Sequence, residues 1–322
     1  MRNEAGYVDL QLNGYKGVDF NADYLSAEAC HEACAQLMRD GVAGVLATIV
    51  TDAPDRMAAR LARLAAIRRQ DELVARVFWG VHIEGPFLNA SSGYVGAHPV
   101  EHVRPADVDI LARLLEAAAG LTRIVTLAPE VDEGMKVVRF LAERGIVASA
   151  GHSNASLDQL RAAIDAGLSM FTHLGNGCPM WLHRHDNIIQ RVLSLAPRLW
   201  ISLIGDGVHV TPPALGNYLR AAGIERSIIV SDGISAAGLG PGRYAIGSQT
   251  VDVGEDLVAQ AADRSHFVGA TATMPQIAQR LKQGLGLSDE AIHQLLYVNP
   301  CRVLGVATEG ESQGVNGSAS VS

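Results

Sequence analysis

Three residues far apart in the chain, Glu84, His152 and His173, are of the types that hold a divalent transition metal such as zinc. One carboxylate and two imidazoles leave coordination positions for water or substrate. Each closes a short apolar run, in HIEGP, SAGHSN and FTHLGN. A single histidine in such a place is more often a hydrogen-bonded structural residue, so the joint pattern carries the metal reading. Asp232 ends a fourth run, IIVSD, where an unpaired carboxylate would cost on the order of several kcal/mol. A metal-activated water would supply its partner and make Asp232 a general base, then a general acid. The plainer role is a helix N-cap or an Asx turn before Gly233. In GDGVHV, beside Asp206, His209 could hydrogen-bond a substrate carbonyl oxygen or simply cap local structure. Arg184, in WLHRHDN, suits either a phosphate or carboxylate anchor or a solvated loop cation.

These residues need elements that bring them together. Strand-length apolar runs at Tyr7–Leu12, Gly44–Ile49, Val77–Ile83, Arg123–Leu127, Ile146–Ala150, Ser169–Thr172, Trp200–Ile204 and Ser227–Val230 alternate with amphipathic stretches of helical length. The helical stretches include Ser26–Asp40, Pro54–Gln70, Pro105–Ala119, Asp132–Arg144, Ser156–Ala166 and Pro213–Ala222, several opened by Ser, Asp or Pro. Eight βα units predict an α/β fold, a (β/α)8 TIM-type barrel in which carboxyl ends of strands meet at one mouth. The second choice is a doubly wound open sheet, which shares the alternation. A glycine-rich segment around residues 238–258 reads as a β-hairpin excursion near the site. Residues 1–306 read as one barrel domain, and 307–322 are too small and polar to pack.

Composition narrows the classes. With 48% hydrophobic residues in 322, the chain can bury a large core, and no apolar run approaches the roughly 18 residues of a membrane span. A formal charge of −8 disfavours a nucleic-acid partner, which calls for a basic face. The N-terminal residues lack a secretory apolar segment, so the expected compartment is the cytoplasm. Cys30, Cys34, Cys178 and Cys301 show no paired CxxC spacing and read as reduced, buried thiols.

In order along the chain, VDLQLNG, GVHIEGPFLN, GAHP, VTLAPE, SAGHSNAS, FTHLGNGCP, GDGVHV, VSDG and NPCRVLG resemble the N-acetylglucosamine-6-phosphate deacetylase family of the amidohydrolase superfamily, over roughly residues 7–306. The resemblance implies a metal-dependent barrel in which Glu84, His152 and His173 hold the ion and Asp232 moves the proton. It places substrate contacts at Ala97, His98, Asn176, Gly177, Arg184, His209, Val268 and Gly269. Where many amidohydrolases carry an HxH motif for a second ion, this chain has Gln11 and Asn13. One divalent ion is therefore expected, Zn2+ first, with Fe2+, Mn2+ or Co2+ as alternatives. The implied reaction is hydrolysis of the acetamide of an amino sugar, giving acetate and a free amine.

Three departures bear on substrate identity. The small β-sandwich usual in the family has no counterpart between residues 7 and 306, which predicts polar cover or a subunit contact, hence a homo-oligomer such as a dimer. Gly175, Gly177 and His185 replace a large residue, an alanine and an acidic residue, and the strand-eight loop reads SDGISAAG. Together these changes suggest a reshaped pocket, consistent with a specialised deacetylase acting on another acetamido sugar or N-acyl amine, while N-acetylglucosamine-6-phosphate or a close relative stays the first expected substrate. Another N-acyl amine or a cyclic amide is the alternative within the same chemistry. A non-catalytic sugar-binding barrel is the alternative outside it, opposed by the retained Asp232.

Overall fold

A computed structural model describes residues 6–246, 249–254, 258–261 and 269–308. Eight parallel strands follow one another in sequence order: β1 (Tyr7–Leu12), β2 (Val42–Val50), β3 (Phe78–Glu84), β4 (Thr122–Leu127), β5 (Val147–Ala150), β6 (Leu168–Phe171), β7 (Trp200–Ile204) and β8 (Ser227–Val230). A doubly wound sheet would reverse its strand order at a switch point, and this one does not. The two end strands instead come together at their carboxyl ends. The Asp232 amide donates to Gln11 O at 3.0 Å and the Asn13 amide donates to Gly233 O at 2.7 Å. Below that point the Asp9 carboxylate accepts from the amide of Ser231, a second tie across the seam.

A helix follows each strand: α1 (Ala27–Arg39), α2 (Pro54–Gln70), α3 (Val108–Ala117), α4 (Lys136–Ala142), α5 (Leu157–Asp165), α6 (Ile188–Ser194), α7 (Pro212–Ala222) and α8 (Met274–Leu285). Their starts are chemically marked. Ser26 caps α1, and capping boxes pair Ser156 with Gln159 at α5 and Thr273 with Gln276 at α8. Several boundaries depart from the sequence reading, such as β2, which begins two residues earlier than expected, and α3, which begins at Val108 after its Asp107 cap instead of at Pro105; two more have a clear local cause. Val77 belongs to a helical turn, Glu72–Val77, capped by Asp71, so β3 begins at Phe78. The helix expected from Asp132 starts only at Lys136, because Gly134 and Met135 take positive φ and the Asp132 carboxylate turns to accept from Val137 and Val138.

Alternate strand residues face different cores, as the two-residue period requires. Val45, Ile49, Ile83, Leu127, Ile201 and Ile229 pack outward with helix residues such as Leu64, Leu114, Leu160 and Leu219. Leu10, Leu46, Ile124, Met170, Ile204 and Val230 fill the barrel, joined by Tyr297, Cys301 and Leu304 from the C-terminal helices. One level up, the interior positions turn polar, with Thr48, His82, Thr126, Ser149 and Ser202 all 1% exposed or less. The level above that is the site.

The segment after β8 forms a three-stranded antiparallel sheet, Gly242–Ile246, Gln249–Val253 and Ala259–Ala261, one strand more than a hairpin. Of the expected C-terminal tail, residues 309–322 lie outside the described residues. No described helix is long and apolar enough to cross a membrane.

Candidate active site

Four strand ends deliver the acidic and imidazole groups to one place. Glu84 is the last residue of β3, His152 and His173 stand two residues beyond β5 and β6, and Asp232 two beyond β8. Glu84, His152 and His173 are 3%, 6% and 2% exposed. His173 Nε2 lies 2.8 Å and His152 Nε2 3.2 Å from the same oxygen, Glu84 Oε1. Gln11 Nε2 donates to both Glu84 oxygens, at 3.2 and 3.3 Å. His98, expected as a substrate contact, reaches the cluster too, its Nε2 3.2 Å from that of His152. Glu84, His98 and His152 each offer one ligand atom within 4.8 Å of the others.

The hydrogen bonds test whether a cation fits this set. His152 Nδ1 stands 2.8 Å from the carbonyl oxygen of Tyr94, which can only accept, so Nδ1 carries a proton and donates to it. This contact turns His152 Nε2 toward the Glu84 carboxylate, where the two would share a cation as ligands. An imidazole oriented through its other nitrogen by a backbone carbonyl is the usual support for a metal ligand. Among the described residues, His173 Nδ1 and His98 Nδ1 are buried without a hydrogen-bond partner. The donor set of nitrogen and carboxylate oxygen suits zinc, and the residues present fit a bound ion.

Local backbone conformations are part of this convergence. His152, His173 and Asp232 have φ of 49°, 37° and 51°, three of the six non-glycine positive φ values among the described residues. Such conformations cost about 1–3 kcal/mol each and persist only where neighbours hold them. Around His152 the holder is Glu130, the end of the VTLAPE run. Its carboxylate accepts from Ser153 Oγ (2.6 Å), the Asn154 amide and Asn89 Nδ2 (2.8 Å), while the Asn89 amide donates to His152 O. Ser202 Oγ accepts from the amide of His173 at 2.8 Å.

Electrostatics separate the two carboxyl groups. Burial works against an ionised Glu84, but the hydrogen bonds from His152 and His173 and the charge on His173 hold it well below the usual carboxylate range. Desolvation and the charge of Glu84 push Asp232 up instead, opposed by His173, His209 and a 2.9 Å hydrogen bond from Asn13 Nδ2. Opposed shifts in neighbouring acids are how one site holds a fixed anion beside a group that exchanges protons. His209 is oriented by Asp206, whose Oδ2 lies 2.7 Å from His209 Nδ1, so that any role toward a substrate runs through Nε2.

Other expected contacts fall in varied places. Gly177 stands against the cluster, with φ +60°, and a Cβ there would lie 2.8 Å from His152 Nδ1. Any side chain at this position would press on that ring. Asn176 has a buried Nδ2 without a partner among the described residues. Gly269 precedes Ala270, whose amide donates to Asp232 O at 3.0 Å. Ala97 is exposed. Arg184 is exposed on the loop after β6 and makes no ion pair among the described residues. Val268 lies outside the described residues. The roles of Glu130, Tyr94 and Asp206 were missed from sequence. VTLAPE and the GDxxH spacing were the available signals, but neither says which group a carboxylate will hold.

No protein-family model matches the chain. It is 32% identical over 310 residues to N-acetylglucosamine-6-phosphate deacetylase from Bos taurus, covering 94% of this chain and 74% of that protein. It is 32% identical to N-acetylgalactosamine-6-phosphate deacetylase from Escherichia coli O157:H7, covering 93% and 77%. Among solved structures, N-acetyl-D-glucosamine-6-phosphate deacetylase from Mycobacterium smegmatis, in complex with N-acetyl-D-glucosamine-6-phosphate, superposes with TM-score 0.84 at 33% identity, covering 94% and 77%. The strand order, the mouth of the barrel and these likenesses agree, and the chain belongs to the N-acetylglucosamine-6-phosphate deacetylase family, enzymes that hydrolyse an amide.

Proposed function

We propose that this protein removes the acetyl group from N-acetylglucosamine-6-phosphate or its galactosamine counterpart, using one divalent ion, Zn2+ in the first instance, held by Glu84, His152 and His173. The observation that carries the reading is the meeting of two imidazole Nε2 atoms on one Glu84 oxygen, with Asp232 close enough to feel both Glu84 and His173. A bound ion supplies Lewis-acid polarisation and a nucleophile at neutral pH.

The chain's own groups do the rest. Asp232 accepts a proton from the attacking water and returns it to the departing sugar amine. The raised proton affinity of its carboxyl group suits both steps. His209, its Nδ1 fixed on Asp206, turns Nε2 to the acetyl oxygen as negative charge develops there. Gln11 and Asn13 hold Glu84 and Asp232 through neutral amides in place of a second pair of metal ligands.

Arg184 takes the phosphate. It carries an exposed charge without an ionic partner among the described residues, beside Met180 and Trp181, which are 93% and 94% exposed. That apolar tip also suits contact with a second copy of the chain, consistent with a homo-oligomer.

Acetate release from N-acetylhexosamine 6-phosphates, their unphosphorylated forms and N-acyl amino acids tests the reading. Arg184→Ala is expected to raise KM for the phosphorylated sugars by about 10- to 100-fold, as loss of a charge-assisted contact of about 1.5–3 kcal/mol requires. The unphosphorylated sugars should be unaffected. An equal loss on both removes Arg184 from the phosphate, and release only from N-acyl amino acids overturns the substrate class.

A further inference from the structure

Beneath the site, four buried side chains form a continuous line across the barrel interior. Ser149 Oγ lies 2.7 Å from Thr172 Oγ1, Thr172 Oγ1 lies 2.7 Å from Thr126 Oγ1, and Thr126 Oγ1 lies 2.7 Å from His82 Nε2. His82 Nδ1 ends the line, 3.2 Å from the carbonyl oxygen of Leu10. All four side chains belong to residues 1% exposed or less.

We propose that the members of this line are positioning residues for the metal centre. Leu10 O can only accept, so His82 Nδ1 donates to it and ties the line to the β1 backbone. The three hydroxyls can each donate and accept, so every polar atom along the line has a partner in the buried interior.

The placement gives the chain its purpose. His82 is two residues before Glu84 on β3, Thr172 immediately precedes His173, and Ser149 is three before His152. Thr126 lies on β4, the strand between β3 and β5 that brings no ligand. The hydroxyl of Thr126 therefore completes a girdle joining the three ligand-bearing strands. Loss of one link orphans its neighbours in a dry interior, where an unpaired polar group is costly.

The inference rests on the metal reading above, and its test separates the two. Chelator competition should show that Thr126→Val weakens Zn2+ binding by about 10- to 100-fold, the usual effect of removing support behind a metal ligand, and that Thr126→Ser restores it. Wild-type Zn2+ affinity in a folded Thr126→Val variant overturns the positioning role. If the wild-type protein takes up no stoichiometric Zn2+, the proposed metal centre falls, and this inference with it.

Discussion

Asp232→Asn lowers turnover by about 10²- to 10⁴-fold, the usual contribution of a general acid–base group, while metal affinity stays within a few-fold of wild type. The separation of the two effects follows from where Asp232 sits. Its Oδ1 accepts from Asn13 Nδ2, whereas the two imidazoles close on Glu84. Asparagine keeps a carbonyl oxygen for the Asn13 contact and the shape of the side chain. It cannot take up a proton from water and pass it to an amine. The left-handed backbone at this position, φ 51°, is also one that asparagine adopts readily, so the substitution should not disturb the β8 turn. Steady-state kinetics beside isothermal titration with the metal check both halves. Unchanged turnover would remove Asp232 from the chemistry.

Glu84→Gln acts the other way, weakening Zn2+ binding by more than about 100-fold, beyond the range seen when only a ligand's supporting partner is lost. Activity should fall with occupancy and return in part at high metal concentration. Glu84 Oε1 is the atom on which both imidazole Nε2 atoms converge, and its carboxylate is held ionised in spite of burial by His152 and His173. Glutamine preserves the volume and removes the charge. It also turns an amide toward Gln11 Nε2 or the imidazoles, where the carboxylate offered only acceptors. Chelator competition reads the affinity, and kinetics across metal concentrations read the rescue. Wild-type affinity in this variant would place the ion elsewhere.

The barrel was legible because its signals are local. Apolar runs ending in polar residues marked β1, β7 and β8 to the residue, and Ser26 and Ser156 announced helix starts through their hydroxyls. Boundaries slipped where a side chain chose between two local bonds. Asp132 could have capped a helix directly but reaches forward past Gly134 and Met135 to Val137 and Val138. In the candidate site, residue type and strand-end position picked out Glu84, His152, His173 and Asp232, which the strand ends bring to one mouth. The groups that hold them were not legible. Glu130 contacts Ser153 and Asn154 across more than twenty residues of chain, and His98 reaches His152 from a loop without periodicity. Such contacts are set by how the loops fold over the mouth, which no spacing along the sequence encodes.

The central claim is that Glu84, His152 and His173 share one cation. Anomalous diffraction from crystals of the zinc-loaded protein, collected on both sides of the zinc absorption edge, tests it directly. The account predicts one peak within about 2.0–2.2 Å of a Glu84 oxygen and of the Nε2 atoms of His152 and His173. No peak there, or a peak bound by other side chains, would contradict it.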